Sequence, residues 1–126
     1  MTIQEAINQV DNLKPNMYGV KDKIKWLSRL DRRIYEQVIL THEYNEDEEE
    51  VTFTSYTPET DPETELLVGE PYDEVYTRWL EAQIDYHDME GDAFNNSNSV
   101  FESVFSAFRN AYNQSHMPRG TRKIYY

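Results

Sequence analysis

Cysteine is absent from the 126 residues, which removes disulfides, thiolate nucleophiles and every sulfur-ligated metal site. A small chain without disulfide staples is expected in a reducing compartment. Glycine occurs four times, too seldom for a phosphate cradle, and the chain carries no G-x-S-x-G, no HExxH and no Gly-rich loop. Basic residues are also scarce, 12 against 24 acidic, which argues against a protein that coats DNA by neutralising phosphates. No apolar run approaches the roughly 18 residues that span a bilayer. Residues Met1 to Glu5 have neither the basic start nor the hydrophobic stretch of a signal peptide, so neither a leader nor a membrane span is expected. What remains is 38% hydrophobic and 13% aromatic, including ten Tyr, enough for one modest core.

Charge is unevenly distributed. Residues 1–42 hold seven basic and five acidic side chains, net +2; residues 43–92 hold one and eighteen, net −17; residues 93–126 hold four and one, net +3. Basic ends around an acidic middle allow opposite charges to meet between copies, and equally suit a solvated acidic surface that maintains solubility.

The periodicity predicts an all-α fold, a small bundle of about four helices with a long acidic loop between the second and third. Thr2-Ile3-Gln4-Glu5 is a capping box, and Ile3, Ile7, Val10 and Leu13 recur at helical spacing up to Pro15. A second helix is expected from about Val20 to His42, apolar at Ile24, Leu27, Leu30, Ile34 and Val38. Lys21, Lys25, Arg29, Arg32 and Arg33 lie largely on its other faces. Residues 43–70 lose periodicity, with the run Glu46, Asp47, Glu48, Glu49, Glu50 and then Thr-rich sequence; Val51–Thr54 alternates and fits a short strand. A third helix is expected to begin at Pro71 and to end at Gly91, burying Tyr72, Val75, Tyr76, Trp79, Leu80 and Gln83 or Ile84. Asp92 caps a fourth helix bearing Phe94, Phe101, Val104, Phe105, Phe108 and Tyr112. Its Asn95–Ser99 stretch has poor helix propensity and moves the expected start toward Ser99. One domain, residues 1–118, with the short first helix packed across the other three, and an extended basic and aromatic tail, residues 119–126, complete the outline.

Glu81, Asp85 and Asp88 share helical spacing around Tyr86 and His87, but a Glu three residues before His, as dinuclear bundles require, is missing because Ile84 stands there. A solvated face is the better reading. The acidic run lacks the alternating Asp spacing and Gly of a calcium loop. No cofactor, no metal and no catalytic constellation is therefore expected. The aromatics of the last two helices fit a core better than a base-stacking platform. Trp26 and Tyr35 are offset from the main apolar stripe and are candidates for contact with another subunit, alongside Arg32 and Arg33, with a wide shell of one core as the competing reading.

Three segments carry a family likeness: Glu65–Val68 through Pro71–Tyr76 and Trp79–Tyr86; Phe94–Ser97 with Phe105–Phe108 and Tyr112–Pro118; and Ile24–Asp31. Together they resemble the small helical head-to-tail connector, or adaptor, proteins of tailed bacteriophages and prophages. The resemblance implies a structural virion neck protein and not an enzyme. It would be made in the bacterial host cytoplasm and assembled as a homo-oligomeric, dodecameric ring between the portal protein and the tail or stopper protein. DNA would pass through without specific binding, and no membrane would be involved. In such a ring Glu46, Asp47, Glu48, Glu49 and Glu50 are expected to line the DNA passage. Arg119, Arg122, Lys123, Tyr125 and Tyr126 are expected to dock on a neighbouring subunit or the portal. The acidic insertion itself has no counterpart in the family pattern. The competing function is an acidic DNA mimic that occupies and inhibits a host nucleic-acid enzyme; a metal-dependent nuclease using Glu81, Asp85 and Asp88 is a third.

Overall fold

The computed structural model describes residues 1–42 and 51–116. Four α-helices run in the order α1 (Ile3–Leu13), α2 (Val20–Ile34), α3 (Glu74–His87) and α4 (Gly91–Ser115), and no strand occurs among the described residues. The chain is a small helical bundle. No helix among the described residues is long and apolar enough to cross a membrane.

The capping box at the head of α1 forms as its sequence dictates. The Glu5 N–H donates to Thr2 Oγ1 and the Thr2 N–H donates to Glu5 Oε1, both at 3.1 Å. Two further free amides of that first turn, on Ile3 and Gln4, donate to the carbonyls of Thr64 and Pro62 at 3.1 and 2.9 Å. The segment before α3 is therefore fastened to α1. A single antiparallel bridge, Thr2 with Glu65, is its only sheet-like pairing among the described residues, and Val51–Thr54 forms no strand.

Helix α2 stops at Ile34 and continues as one π-helical turn, Tyr35–Ile39, closed by Leu40 N–H on Tyr35 O at 2.9 Å. The wider turn keeps Val38 fully buried and leaves Leu40 exposed. Helix α3 starts at Glu74, three residues later than Pro71 suggests. The intervening chain is bound as tight turns, Tyr72 N–H to Gly69 O and Val75 N–H to Tyr72 O. Its end also differs from expectation. Met89, at φ +60°, takes the left-handed position that terminates α3, and Gly91 instead opens α4. Helix α4 is regular from Gly91 onward, so packing outweighs the weak propensity of Asn95–Ser99.

Helix α3 is the hub, packing against α1, α2 and α4. Trp79 Nε1–H donates to Trp26 O at 2.8 Å, and Thr77 Oγ1 donates to Gln9 at 2.9 Å. Tyr76, Phe101 and Phe105 are fully buried beside Leu27, Leu30, Ile34, Leu80 and Ile84, each large side chain contributing about 1.5–3 kcal/mol of burial. The short first helix is a full member of this core: Ile3, Ala6, Ile7 and Val10 are all buried.

Candidate interaction surfaces

Helix α2 buries its apolar stripe and turns Lys21, Lys25, Arg29 and Arg32 outward at three- and four-residue spacing, which stacks them on one face. Residues Ser55–Pro58 run alongside, and a groove of about 530 Å³ lies between them with Ile24 and Tyr56 among its walls. Arg32 is held at the rim: it donates to Ser55 Oγ at 2.8 Å, sits 4.9 Å from the Phe53 ring centre and lies 3.7 Å from Glu36. Lys21, Lys25 and Arg29 make no ion pair among the described residues. In a chain of net charge −12, a groove lined by Lys21, Lys25, Arg29 and Arg32 against the single carboxylate Asp22 has a local excess of positive charge that suits an anionic partner.

The outer wall of that groove is fixed by a buried carboxylate. Asp31 is fully inaccessible, in line with Leu27 and Ile34 on the buried face of α2. Tyr56 OH donates to its Oδ2 at 2.5 Å, Leu67 N–H to the same oxygen at 3.2 Å, and Tyr76 OH to Oδ1 at 2.6 Å. Tyr76 OH in turn accepts from Val68 N–H at 2.7 Å, while Ser28 Oγ accepts from Tyr56 N–H at 3.0 Å. Burial pushes the Asp31 carboxyl above the usual carboxylate range, although the two phenols and the Leu67 amide pull it down. Burial, then the Asp31 charge, pushes both Tyr56 and Tyr76 above the ordinary phenol value. Both phenols therefore stay protonated donors at neutral pH. Sequence reasoning missed this cluster; its one signal was an Asp placed within an apolar stripe.

The sequence-derived interface candidates fall in different environments. Trp26 lies inside the chain, 4% exposed, against Tyr18 and His87, so its ring serves this chain's own core. Tyr35 is half-buried against Phe53. Arg33 lies 4.5 Å above the Phe105 ring centre and 3.8 Å from Glu102, tying α2 to α4. Arg119, Arg122, Lys123, Tyr125 and Tyr126, and the acidic run Glu46, Asp47, Glu48, Glu49 and Glu50, lie outside the described residues.

Glu81, Asp85 and Asp88 do not converge. Glu81 accepts from Arg78 at 3.0 Å, Asp85 from Lys14 at 2.5 Å, and Asp88 from the Tyr18 hydroxyl at 2.7 Å. No group of three metal-ligating side chains gathers among the described residues. Lys23, almost fully buried, is satisfied by Asp11 and by the Tyr18 carbonyl, both at 2.7 Å. Burial raises the Asp11 carboxyl, but hydrogen bonds from Lys23 and Asn16 and the Lys23 charge leave it below its ordinary value.

No family model matches the chain, and neither a curated protein nor a solved structure matches it.

Proposed function

We propose that the chain is a structural subunit of a phage neck, a ring-forming head-to-tail connector that joins the portal to the tail or stopper and lets DNA pass. The observation that carries this reading is the groove of unpaired cations on α2 in a chain whose residues 59–74 hold seven carboxylates and no basic side chain. Two surfaces of opposite sign on one molecule suit a heterologous contact, in which the basic groove of one copy meets the acidic surface of the next. Repeated with a closing rotation, that contact makes a ring. The sequence likeness to head-to-tail connectors supports the same reading, as does a helical bundle with a well-packed core.

In that assembly the run Glu46–Glu50 faces the passage, where its charge keeps duplex DNA from adhering within about a Debye length, near 10 Å at 0.1 M salt. Electron microscopy of the concentrated protein, alone and mixed with portal protein, tests the reading, and rings or portal-bound collars are expected. A chain that stays monomeric, ignores the portal and inhibits a DNA-binding enzyme would establish the acidic mimic instead.

A further inference from the structure

The two walls of the groove beside α2 are held very differently. One is a helix; the other belongs to residues 51–58, in which Val51, Thr52, Thr54, Ser55, Thr57 and Pro58 are exposed and Phe53 and Tyr56 half-buried. Among the described residues, no backbone–backbone hydrogen bond joins residues 51–56 to any other part of the chain. Side chains make the attachment instead. Tyr56 N–H donates to Ser28 Oγ at 3.0 Å, Tyr56 OH to Asp31 Oδ2 at 2.5 Å, and Arg32 to Ser55 Oγ at 2.8 Å. The Phe53 ring packs against Tyr35 and Tyr56. Backbone bonding resumes at the turn Thr57–Thr60, where Thr60 N–H donates to Thr57 O at 2.9 Å, and from Pro62 onward the chain is fastened to α1. A segment attached by a few polar contacts, next to one so fastened, opens at less cost than the core does.

We propose that residues 51–58 are a strap that gates the groove: it swings on the turn Thr57–Thr60, Tyr56 is its latch, and an anionic partner binds only while the strap is seated. Seating makes the cleft. Without Ser55–Pro58, Lys21, Lys25 and Arg29 stand on an open helix face in water, whereas a walled cleft over Ile24 focuses their field on a bound anion. Seating also orients Arg32, which bonds Ser55 and lies over the Phe53 ring, both on the strap. The coupling is reciprocal by linkage: whatever the groove binds holds the strap down, and whatever loosens Tyr56 weakens binding in the groove. The strap rests on the reading of the groove as a receiver of acidic surface, and supplies its regulation.

The amide of residue 56 reports seating directly, because its partner in the seated strap is Ser28 Oγ. Its hydrogen exchange is followed by NMR in the full chain, alone and with a hexaglutamate peptide whose Kd is measured on the same sample. Alone, its protection should fall about tenfold or more below that of the core amides of α3. Tyr56→Phe keeps the ring and should lower that protection about another tenfold, through loss of a hydrogen bond to a carboxylate, while unchanged exchange in α3 confirms the fold. Peptide at about ten times its Kd should raise the protection about tenfold, as binding that requires the seated strap demands. Lys21→Gln, Lys25→Gln and Arg29→Gln together should abolish both the binding and the added protection. Protection at residue 56 equal to that of α3, or indifferent to Tyr56→Phe or to bound peptide, would overturn the strap and leave the groove as a fixed receiver of anions. A peptide that ignores the parent, or binds the triple variant equally well, would overturn the reading of the groove and the strap with it. Electron microscopy of rings decides the connector reading separately.

Discussion

Asp31 shows how one side chain can hold a whole segment. Its two oxygens collect the Tyr56 and Tyr76 hydroxyls and the Leu67 amide, so residues 55–68 are attached to α2 and α3 through a carboxylate that makes no ion pair among the described residues. Asp31→Ala removes the acceptor of two hydroxyls, the buried one of Tyr76 and the half-buried one of Tyr56, and of the half-buried Leu67 amide, and is expected to lower stability by about 3 kcal/mol in urea unfolding. Its pH dependence has the opposite sign to that of most carboxylates. Because the folded pKa is raised, the folded state holds the proton more tightly, so Asp31's contribution is fully present below the ordinary carboxylate value. It is lost as pH rises through the raised one. Asp11, whose folded value is lowered, contributes in the other direction, with stability lost as pH falls. Subtracting Asp31→Asn from the parent isolates the first term. From pH 4 to pH 7 the parent should lose ground relative to the Asn variant, and a parent that gains ground would show that hydrogen bonding outweighs burial at Asp31.

At the scale of elements, the readable features were those written in neighbouring residues. The α1 capping box, the stripe of α2 and the aromatic spacing of α4 are local patterns, and each formed. What periodicity could not carry were long-range partners. The segment after Val51 has no helical pattern, yet Leu66 and Val68 are buried and its amides are shared with Asp31, Tyr76 and Met1 O, from distant parts of the chain. The basic face was legible for the same local reason; the groove beside it was not, because it needs Ser55–Pro58 for its second wall. The α3–α4 boundary gives a test with opposite signs. Had Gly91 been the left-handed terminator, Gly91→Ala would strain the turn and destabilise it by about 1 kcal/mol. As the first residue of α4, with open space where a Cβ would stand, it should instead stabilise by about 0.5–1 kcal/mol. The shift of the urea midpoint decides between them.

For the whole molecule, net charge and charge placement make different demands. Twelve excess negative charges on each copy oppose any close packing, and added salt relieves that repulsion. The cations of the groove oppose it locally, and salt weakens that attraction. Two variants of equal net charge separate these effects. Lys21→Gln, Lys25→Gln and Arg29→Gln together empty the groove of its free charge; Asn110→Asp, Asn113→Asp and Gln114→Glu together add three negative charges at exposed positions of α4. Both bring the chain from −12 to −15, and exposed helical substitutions of this kind change stability by about 0.5 kcal/mol or less each. If the groove receives the acidic surface of a neighbour, sedimentation at low salt should show the first variant losing self-association or portal binding and the second retaining it. The parent's association should also weaken as salt rises. Equal loss in both variants, with association strengthening in salt, would mean that overall repulsion governs assembly and that the cations of α2 face only water.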